Sequence, residues 1–519
     1  MNSNAFIRIV VTFAIMILAL WVSMDIFAGS GNALGKFYFY VMIASFLFGL
    51  LASKKAFYYL IFLAAYLDFF KRLMILDHGI RQIDLYWVLG IAPATMAGII
   101  CSVLYQMFFG GGRIRPMEGR LVVATLIVFT LLFGIGLLSV GSGKFRALGD
   151  LVNGSIYIPM AFVIPFLFRT PGDLQRVVKV MIFIFVPSAL YLIYQSFFGL
   201  TWWEHRYLQS GLSIEVRQYN ERIFRCFGTM AAASTATIFY SVFVAILLGG
   251  GFWKYRPDGT RVGQSMIGLR LLLAVIYGVA AFRTFSRAGW VIGIIVLCCL
   301  VVFHFRALTI AFYATFLAAS LTIVFLSPYL LRHKVLNELD SRLASASDET
   351  RQAAVLSTLN DRLEGFNALM TNRSIWTPFG FRFAGKSRLQ EQVFLHDAFT
   401  AAVIRFGYVT LGGILFLGIS LLVMLHRFVL HSPRGISREL ACLGLSAFVA
   451  LLIGGITNTA AYTTFPQNML LHFFLGVCTS LIVLAKTQEK EQEEADSPNT
   501  SGPQRTLPYR SGQRRPAYS

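Results

Sequence analysis

Two arginines lie at the edges of apolar segments, where they could bind an anion. Arg225 begins one such segment in RIFRCFGTM, and Arg287 lies between two others in RTFSRAGW. A guanidinium beside a membrane is costly to desolvate unless an anion meets it, and its planar fork suits phosphate or pyrophosphate oxygens. A helix is expected to begin beside Ser286 and Arg287, and its N-terminus would add partial positive charge there.

A third position could move a proton. His396, in VFLHDAF, begins an apolar segment after a long polar stretch, and imidazole is the side chain best suited to take a proton near neutral pH. Asp397 could hold the imidazole, raise its basicity or cap the helix. Taken singly, an interfacial arginine is more often a lipid-headgroup anchor, and a histidine at a helix start is more often structural.

Two further arginines lie close in sequence to the first pair. Arg222 precedes Arg225 by three residues, and Arg283 precedes Arg287 by one helical turn. Each could extend an anion-binding site or pair with a nearby carboxylate, and the spacing leaves both roles open.

The stretch TWWEHRYL contains another possible acid–base pair, Glu204 and His205. Its two tryptophans are typical of side chains that anchor a protein at the membrane interface. We therefore favour an interfacial role for this stretch over a catalytic one.

The elements that must position these residues are apolar. Of the 519 residues, 56% are hydrophobic and 13% are charged, whereas soluble domains have about 25% charged residues. The hydrophobic residues, about 290, would supply roughly fourteen spans of about 20 residues each. Runs such as AGWVIGIIVLCCLVVF have no polar face and do not alternate, which excludes soluble, disordered and membrane-barrel classes. We predict an all-α polytopic membrane protein with about 14 transmembrane helices.

Two long connections divide the predicted helices. The divisions are an N-terminal bundle (1–198), a smaller periplasmic loop (199–224), core helices with the arginine motifs (225–327), a large periplasmic loop (328–395), C-terminal helices (396–486) and a disordered cytoplasmic tail (487–519). Val355, Leu359, Leu363, Phe366 and Met370 recur at helical spacing and predict an amphipathic helix in the large loop. The Pro-, Ser- and charge-rich composition of the tail predicts its disorder.

Basic residues in short connections orient the chain. The net charge is +20, and a cytoplasmic N-terminus places most short basic connections in the cytoplasm. Both long connections then face outward, and the C-terminus is cytoplasmic. The outer side nevertheless keeps many cations, namely Lys71, Arg72, Arg81, Lys144, Arg146, Arg206, Arg217, Arg222, Arg225, Arg283 and Arg287. An anionic substrate at the outer face would explain them, and pairing with local acids or lipid headgroups is the alternative.

In order and spacing, these motifs resemble the O-antigen ligase/polymerase family, bacterial envelope enzymes that act on undecaprenyl-pyrophosphate-linked glycans. RCFGTM is similar to the family's Arg-x-x-Gly-Thr stretch, and RTFSRAGW to its Ser-Arg motif. After a large loop, WTPFGFRF, FLHDAF and RFGYVTLGGIL are similar to its Pro-x-x-Gly-x-Gly, His-Asn and Gly-rich helix. The resemblance covers roughly 220–425, and the first 200 residues match only as hydrophobic spans.

The resemblance implies roles for the residues at these motifs. Arg225 and Arg287 would hold the lipid pyrophosphate and stabilise the charge that develops on it, and His396 would activate or orient the acceptor hydroxyl. Asp397 stands where the family has Asn, which leaves open whether His396 or Asp397 is the base, and Arg382 interrupts the Gly-x-Gly. We expect glycosyl transfer without a metal or cofactor, and no nucleic-acid partner.

The expected function is a polymerase of lipid-linked repeat units for a surface polysaccharide or exopolysaccharide, in the bacterial inner membrane. The alternative is a ligase that transfers a finished glycan to lipid A core or to a protein. A flippase for the lipid-linked glycan is less favoured, because the halves show no duplication and mid-span charges are almost absent. A chain-length regulator is a further partner that the motifs leave open.

Overall fold

A computed structural model describes residues 33–76, 82–109, 154–210, 226–262, 266–284, 286–304, 373–380, 398–431, 435–457 and 465–496, with positions 125, 130 and 152. Within these ranges the chain is mostly helical and has no β-strand, only an isolated antiparallel bridge between Tyr255 and Arg261. The predicted all-α class is therefore confirmed for the part of the chain that the structure describes.

The described ranges contain thirteen α-helices of defined bounds. They are α1 (Ala33–Leu51), α2 (Ser53–Leu73), α3 (Gln82–Phe108), α4 (Met160–Leu167), α5 (Pro171–Ile184), α6 (Val186–Phe198), α7 (Trp202–Gln209), α8 (Ala233–Gly249), α9 (Ile267–Arg283), α10 (Arg287–His304), α11 (Ala398–His431), α12 (Ile436–Thr457) and α13 (Gln467–Asp496). Short 3-10 turns cover Met74–Leu76, Gly251–Lys254 and Arg373–Ile375.

Four helical stretches in the described residues are long and apolar enough to cross a membrane. They are Ala33–Leu51, Asp84–Phe108, Pro171–Phe198 and Gln467–Ala485, and shorter apolar helices cover Ala233–Gly249 and Gly289–Phe303. This composition is that of a membrane protein. The total of about 14 spans and the two periplasmic loops stay predictions, and the amphipathic helix predicted over 355–370 lies outside the described residues.

Two helix boundaries differ clearly from the sequence prediction. The span predicted to start at 225 begins as a helix only at Ala233, because contacts from distant helices hold 226–232 in a non-helical conformation. The last helix continues to Asp496, ten residues into the tail predicted from 487. Eight of the ten added residues are Glu, Gln, Lys or Ala, which have high helix propensity and account for the extension.

Side-chain contacts sort the helix termini into two groups. At one end of the bundle, Lys54 at the start of α2 lies 3.3 Å from Asp173 at the start of α5. Gln175 donates hydrogen bonds to the backbone oxygens of Phe252 and Tyr255, which follow α8. We call this the opposite end.

The other group of termini lies at what we call the motif end. Here Arg72 at the end of α2 contacts α7, Arg283 at the end of α9 contacts Phe197 of α6, and Gln467 at the start of α13 contacts Thr235 of α8. That the motif end faces the periplasm stays a prediction.

Close packing of α10 on α8 fixes the position of the RTFSRAGW motif. A Cβ on Gly289 would lie 2.4 Å from the Cβ of Thr237, and a Cβ on Gly293 would lie 2.7 Å from that of Ser241. Helices in membranes approach this closely only where one of them carries small residues. The first turn of α10, which starts at Arg287, is therefore held against the first turns of α8.

Gly407 interrupts α11 with a left-handed conformation, φ 80°. Residues 377–379 pack against this kink, so the backbone N–H of Tyr408 donates to Thr377 O at 3.1 Å and that of Val409 to Pro378 O at 3.3 Å. A Cβ on Gly407 would lie 2.1 Å from Pro378 O. Two stretches that are far apart in sequence, WTPFGF and RFGYV, are thus joined through their backbones.

We expect Gly407→Ala to lower the free energy of unfolding by about 1–3 kcal/mol, because alanine adopts this φ poorly and its Cβ would displace Pro378. The measurement is thermal unfolding of the protein purified in detergent. The control is Gly412→Ala in the same helix, where a Cβ meets nothing within 4 Å and no loss is expected. Equal stability of the two variants would contradict this account.

Candidate functional site

The segment 226–232, which contains most of the RCFGTM motif, is held by Arg72. The guanidinium donates from Nη2 to the backbone oxygens of Gly228 at 2.9 Å and Met230 at 2.8 Å. It also lies 4.6 Å from the centre of the Phe227 ring. Arg72 is only 3% exposed, so these contacts replace its hydration. The same hydrogen bonds give a partner to two backbone oxygens of this non-helical segment, which have none within a helix.

The charge of Arg72 is balanced by Glu204 of α7. Arg72 Nη1 lies 2.7 Å from Glu204 Oε1, and Glu204 is completely buried. Glu204 Oε1 also accepts from Gln195 Nε2 at 2.9 Å, and Oε2 accepts from the backbone N–H and the hydroxyl of Thr201, each at 3.1 Å. A buried ion pair is stable only when such additional hydrogen bonds satisfy both partners.

Gln195 completes the connection between Glu204 and the segment. The backbone N–H of Gly228 donates to Gln195 Oε1 at 2.8 Å, while the amide nitrogen of Gln195 contacts Glu204. We call Arg72, Gln195, Glu204 and the Gly228 backbone the Arg72 network. It joins α2, α6, α7 and the residues before α8.

Further polar contacts fix the same segment to α2 and α6. Thr229 donates to Ala65 O at 2.5 Å, and its hydroxyl lies 2.5 Å from that of Ser188, which in turn contacts Tyr240. The backbone N–H of Ala231 donates to Asp68 Oδ2 at 3.1 Å. The segment is therefore anchored along most of its length.

The RTFSR motif forms the short turn between α9 and α10. The Thr284 hydroxyl forms hydrogen bonds with the Thr237 hydroxyl of α8 and with Ala281 O, and it accepts from the backbone N–H of Ser286 at 3.2 Å. The turn is thus tied to the first turns of α8. Arg287 is the first residue of α10, so the helix N-terminus predicted beside it is present.

Arg283, for which the sequence left pairing and substrate contact open, lies against an aromatic ring. Its guanidinium carbon is 4.9 Å from the centre of the Phe197 ring, and its charge is within electrostatic range of Cys226. No carboxylate among the described residues lies within ion-pair distance of it. Arg283 therefore lies at the end of α9, directly before the turn that carries Arg287 and within electrostatic range of the 226–232 segment.

The other predicted site residues, Arg222, Arg225, His396 and Asp397, lie outside the described residues. Two of the motifs that the structure describes meet at the motif end, since 226–232 and the RTFSR turn both contact α8 there. No known protein-family model matches this sequence, and no curated protein matches it. The family resemblance of the motifs therefore stays a prediction.

The Arg72 network was not predicted from the sequence. Arg72 stood there only among the outer cations, and the two tryptophans of TWWEHRYL favoured an interfacial role for that stretch. Trp202 is 65% exposed and fits that role, whereas Glu204 in the same helix is buried and structural. The available signal was an ionisable residue of each sign at the edge of an apolar segment, a pattern that favours a buried pair.

We expect Glu204→Ala to destabilise the protein by about 3–5 kcal/mol, because it leaves the Arg72 charge buried without a counter-ion. Adding Arg72→Met to this variant should cost much less than Arg72→Met alone. Unfolding of the purified protein in detergent gives the double-mutant cycle, with the exposed Asp258→Asn as the control. Additive losses would show that the two charges do not depend on each other.

Proposed function

We propose that this protein is a polymerase of polyprenyl-pyrophosphate-linked glycan repeat units that acts at the outer face of a bacterial inner membrane. One observation carries the proposal. The 226–232 segment and the RTFSR turn, which resemble two family motifs far apart in the chain, are both fixed on α8 at the same end of the bundle.

The arginines at this end suit a pyrophosphate leaving group. Arg287 is the first residue of α10, and a helix N-terminus carries partial positive charge that favours an anion. Arg283 lies one turn earlier in sequence, within electrostatic range of Cys226 in the 226–232 segment. Cations fixed before the reaction begins can stabilise the charge that develops on a leaving group without reorganising.

The transfer step follows from these roles. The acceptor hydroxyl oxygen attacks the anomeric carbon of the donor glycan, and the bond from that carbon to the pyrophosphate oxygen breaks. The leaving pyrophosphate takes the bonding electron pair beside Arg225 and Arg287. His396, or Asp397 beside it, takes the proton of the attacking hydroxyl. No metal or cofactor enters this scheme.

The rigid surroundings of α8 support the proposal. The Arg72 network holds the segment before α8, and Gly289 seats α10 directly on Thr237. Both motif backbones are thereby fixed by contacts that involve none of the proposed catalytic side chains. Catalytic side chains can be positioned precisely when other residues hold their backbone in place.

Deletion of the gene tests the function. We expect single lipid-linked repeats to accumulate on the outer face of the inner membrane, measured by mass spectrometry of extracted lipid-linked glycans. Long polymer that stays on the carrier would instead identify the ligase. Single repeats trapped on the cytoplasmic face would contradict glycosyl transfer and identify a flippase.

We expect Arg287→Ala to reduce polymer formation by at least about 10²–10³-fold, because a fixed cation at the leaving group is lost. The protein should still insert and accumulate in the membrane, as measured by immunoblotting of membrane fractions. Arg256→Ala, an exposed arginine at the opposite end, is the matched control and should leave polymer formation unchanged. Near-normal polymer from Arg287→Ala would remove this residue from the site.

A further inference from the structure

The first residue of α13 is a buried amide at the motif end. Gln467 is 1% exposed, and its Nε2 lies 2.6 Å from Thr235 Oγ1 in the first turn of α8. Within the part of the chain that the structure describes, its buried Oε1 has no hydrogen-bond partner. Turning the amide over exchanges its two polar atoms, so one of them lacks a partner in either orientation.

Thr235 and the start of α8 provide hydrogen-bond donors next to this acceptor. Thr235 is 5% exposed, and when its oxygen accepts from Gln467 its hydroxyl hydrogen remains to be donated. Ala232 precedes the helix and supplies no side-chain oxygen as a cap. The backbone N–H groups of 233–235 therefore also point toward the motif end without an acceptor inside the helix.

An acceptor beside a donor matches a hydroxyl group, which can donate and accept at once. An apolar ligand would leave both protein groups unpaired, which costs free energy in a buried place. With the Gln467 amide in this orientation, an ionised phosphate has no hydrogen to give to its Oε1. Among ligand classes, a polyhydroxylated one such as a sugar therefore fits this cluster best.

The cluster lies across α8 from the RTFSR turn. Thr235 and Thr237 are two residues apart, so they face nearly opposite sides of the helix. Thr237 contacts Gly289, two residues after Arg287, whereas Thr235 contacts Gln467. The cluster and the arginine turn thus flank the same helix terminus, about one helix diameter, ~10 Å, apart. A glycan with its pyrophosphate at the turn could cross the N-terminus of α8 to reach the amide.

We propose that Gln467 and Thr235 form a subsite that binds hydroxyl groups of the sugars next to the pyrophosphate of the lipid-linked glycan. They are positioning and specificity residues, since neither lies at the bond that breaks. The inference rests on the proposed function and adds to it a site that recognises the sugar separately from the pyrophosphate.

Binding measurements on the purified full-length protein in nanodiscs test this subsite. The probes are undecaprenyl pyrophosphate and the lipid-linked glycan purified from the deletion strain. We expect the wild type to bind the glycan-bearing carrier about tenfold more tightly than the bare carrier. Gln467→Met should abolish that preference and leave the affinity for undecaprenyl pyrophosphate unchanged. Thr235→Val, a smaller change in shape, should have the same effect.

The control variant is Gln175→Met. Gln175 is a fully buried glutamine at the opposite end whose Oε1 also lacks a partner among the described residues, so it matches Gln467 in burial and chemistry. The control should keep the preference for the glycan. A purely structural role of Gln467 would lower the affinity for both probes together with thermal stability.

The outcomes separate the two proposals. If Gln467→Met and Thr235→Val keep the preference, or lose affinity for both probes equally, the subsite is refuted. If the wild type binds both probes equally, the pyrophosphate site stands and the sugar subsite does not. If the wild type binds neither probe, or no lipid-linked glycan accumulates on deletion, the proposed function itself fails.

Discussion

An ion pair buried among apolar helices, Arg72 with Glu204, is the interaction on which the motif end of this protein depends. Removing two charges from water costs several kcal/mol for each ion, and only close contact with further hydrogen bonds offsets that cost. Here Gln195, Thr201 and the backbone oxygens of 228 and 230 supply those bonds. These bonds offset the cost of burying the pair. They also hold the non-helical segment 226–232 in place and thereby fix the start of α8.

The position of helix α8 is fixed by this arrangement. Its position is set by the Arg72 network on one side and by α10, through Gly289 and Thr237, on another. The turn that contains Arg287 is therefore positioned by residues that carry no charge, whereas the segment after Arg225 is positioned by a charged network. A substrate that contacts both motifs would meet a surface already organised on α8. This organisation is the physical basis of our proposal that a pyrophosphate binds there.

The local sequence pattern predicts the helices, but it does not predict the side-chain contacts between them. The break between α9 and α10 falls at the RTFSR motif, where the sequence placed it, because apolar runs and a short polar break are local signals. The start of α8 was predicted eight residues too early, because distant side chains hold 226–232 in a non-helical conformation. Arg72, for example, lies 156 residues before Gly228, to which it donates a hydrogen bond. Hydropathy does not report such a contact.

The candidate site shows the same difference between local signals and long-range contacts. A glutamine at the start of an apolar segment looks like an ordinary polar flank, so nothing in the sequence singled out Gln467. Its partner Thr235 is 232 residues away, and the interest of the pair comes from burial and an unsatisfied atom. Arg287, in contrast, was singled out from the sequence by its place between two apolar runs and by the resemblance of its Ser-Arg motif, and its role stays a prediction.

The most direct test of glycosyl transfer from a lipid pyrophosphate is reconstitution. Purified protein in liposomes receives the lipid-linked repeat unit as its only substrate, with a metal chelator present, and mass spectrometry follows both the glycan length and the released carrier. Our account predicts lipid-linked glycans of two or more repeats, with one undecaprenyl pyrophosphate released for each linkage formed. Unchanged single repeats and no released carrier, from protein that remains folded, would contradict it.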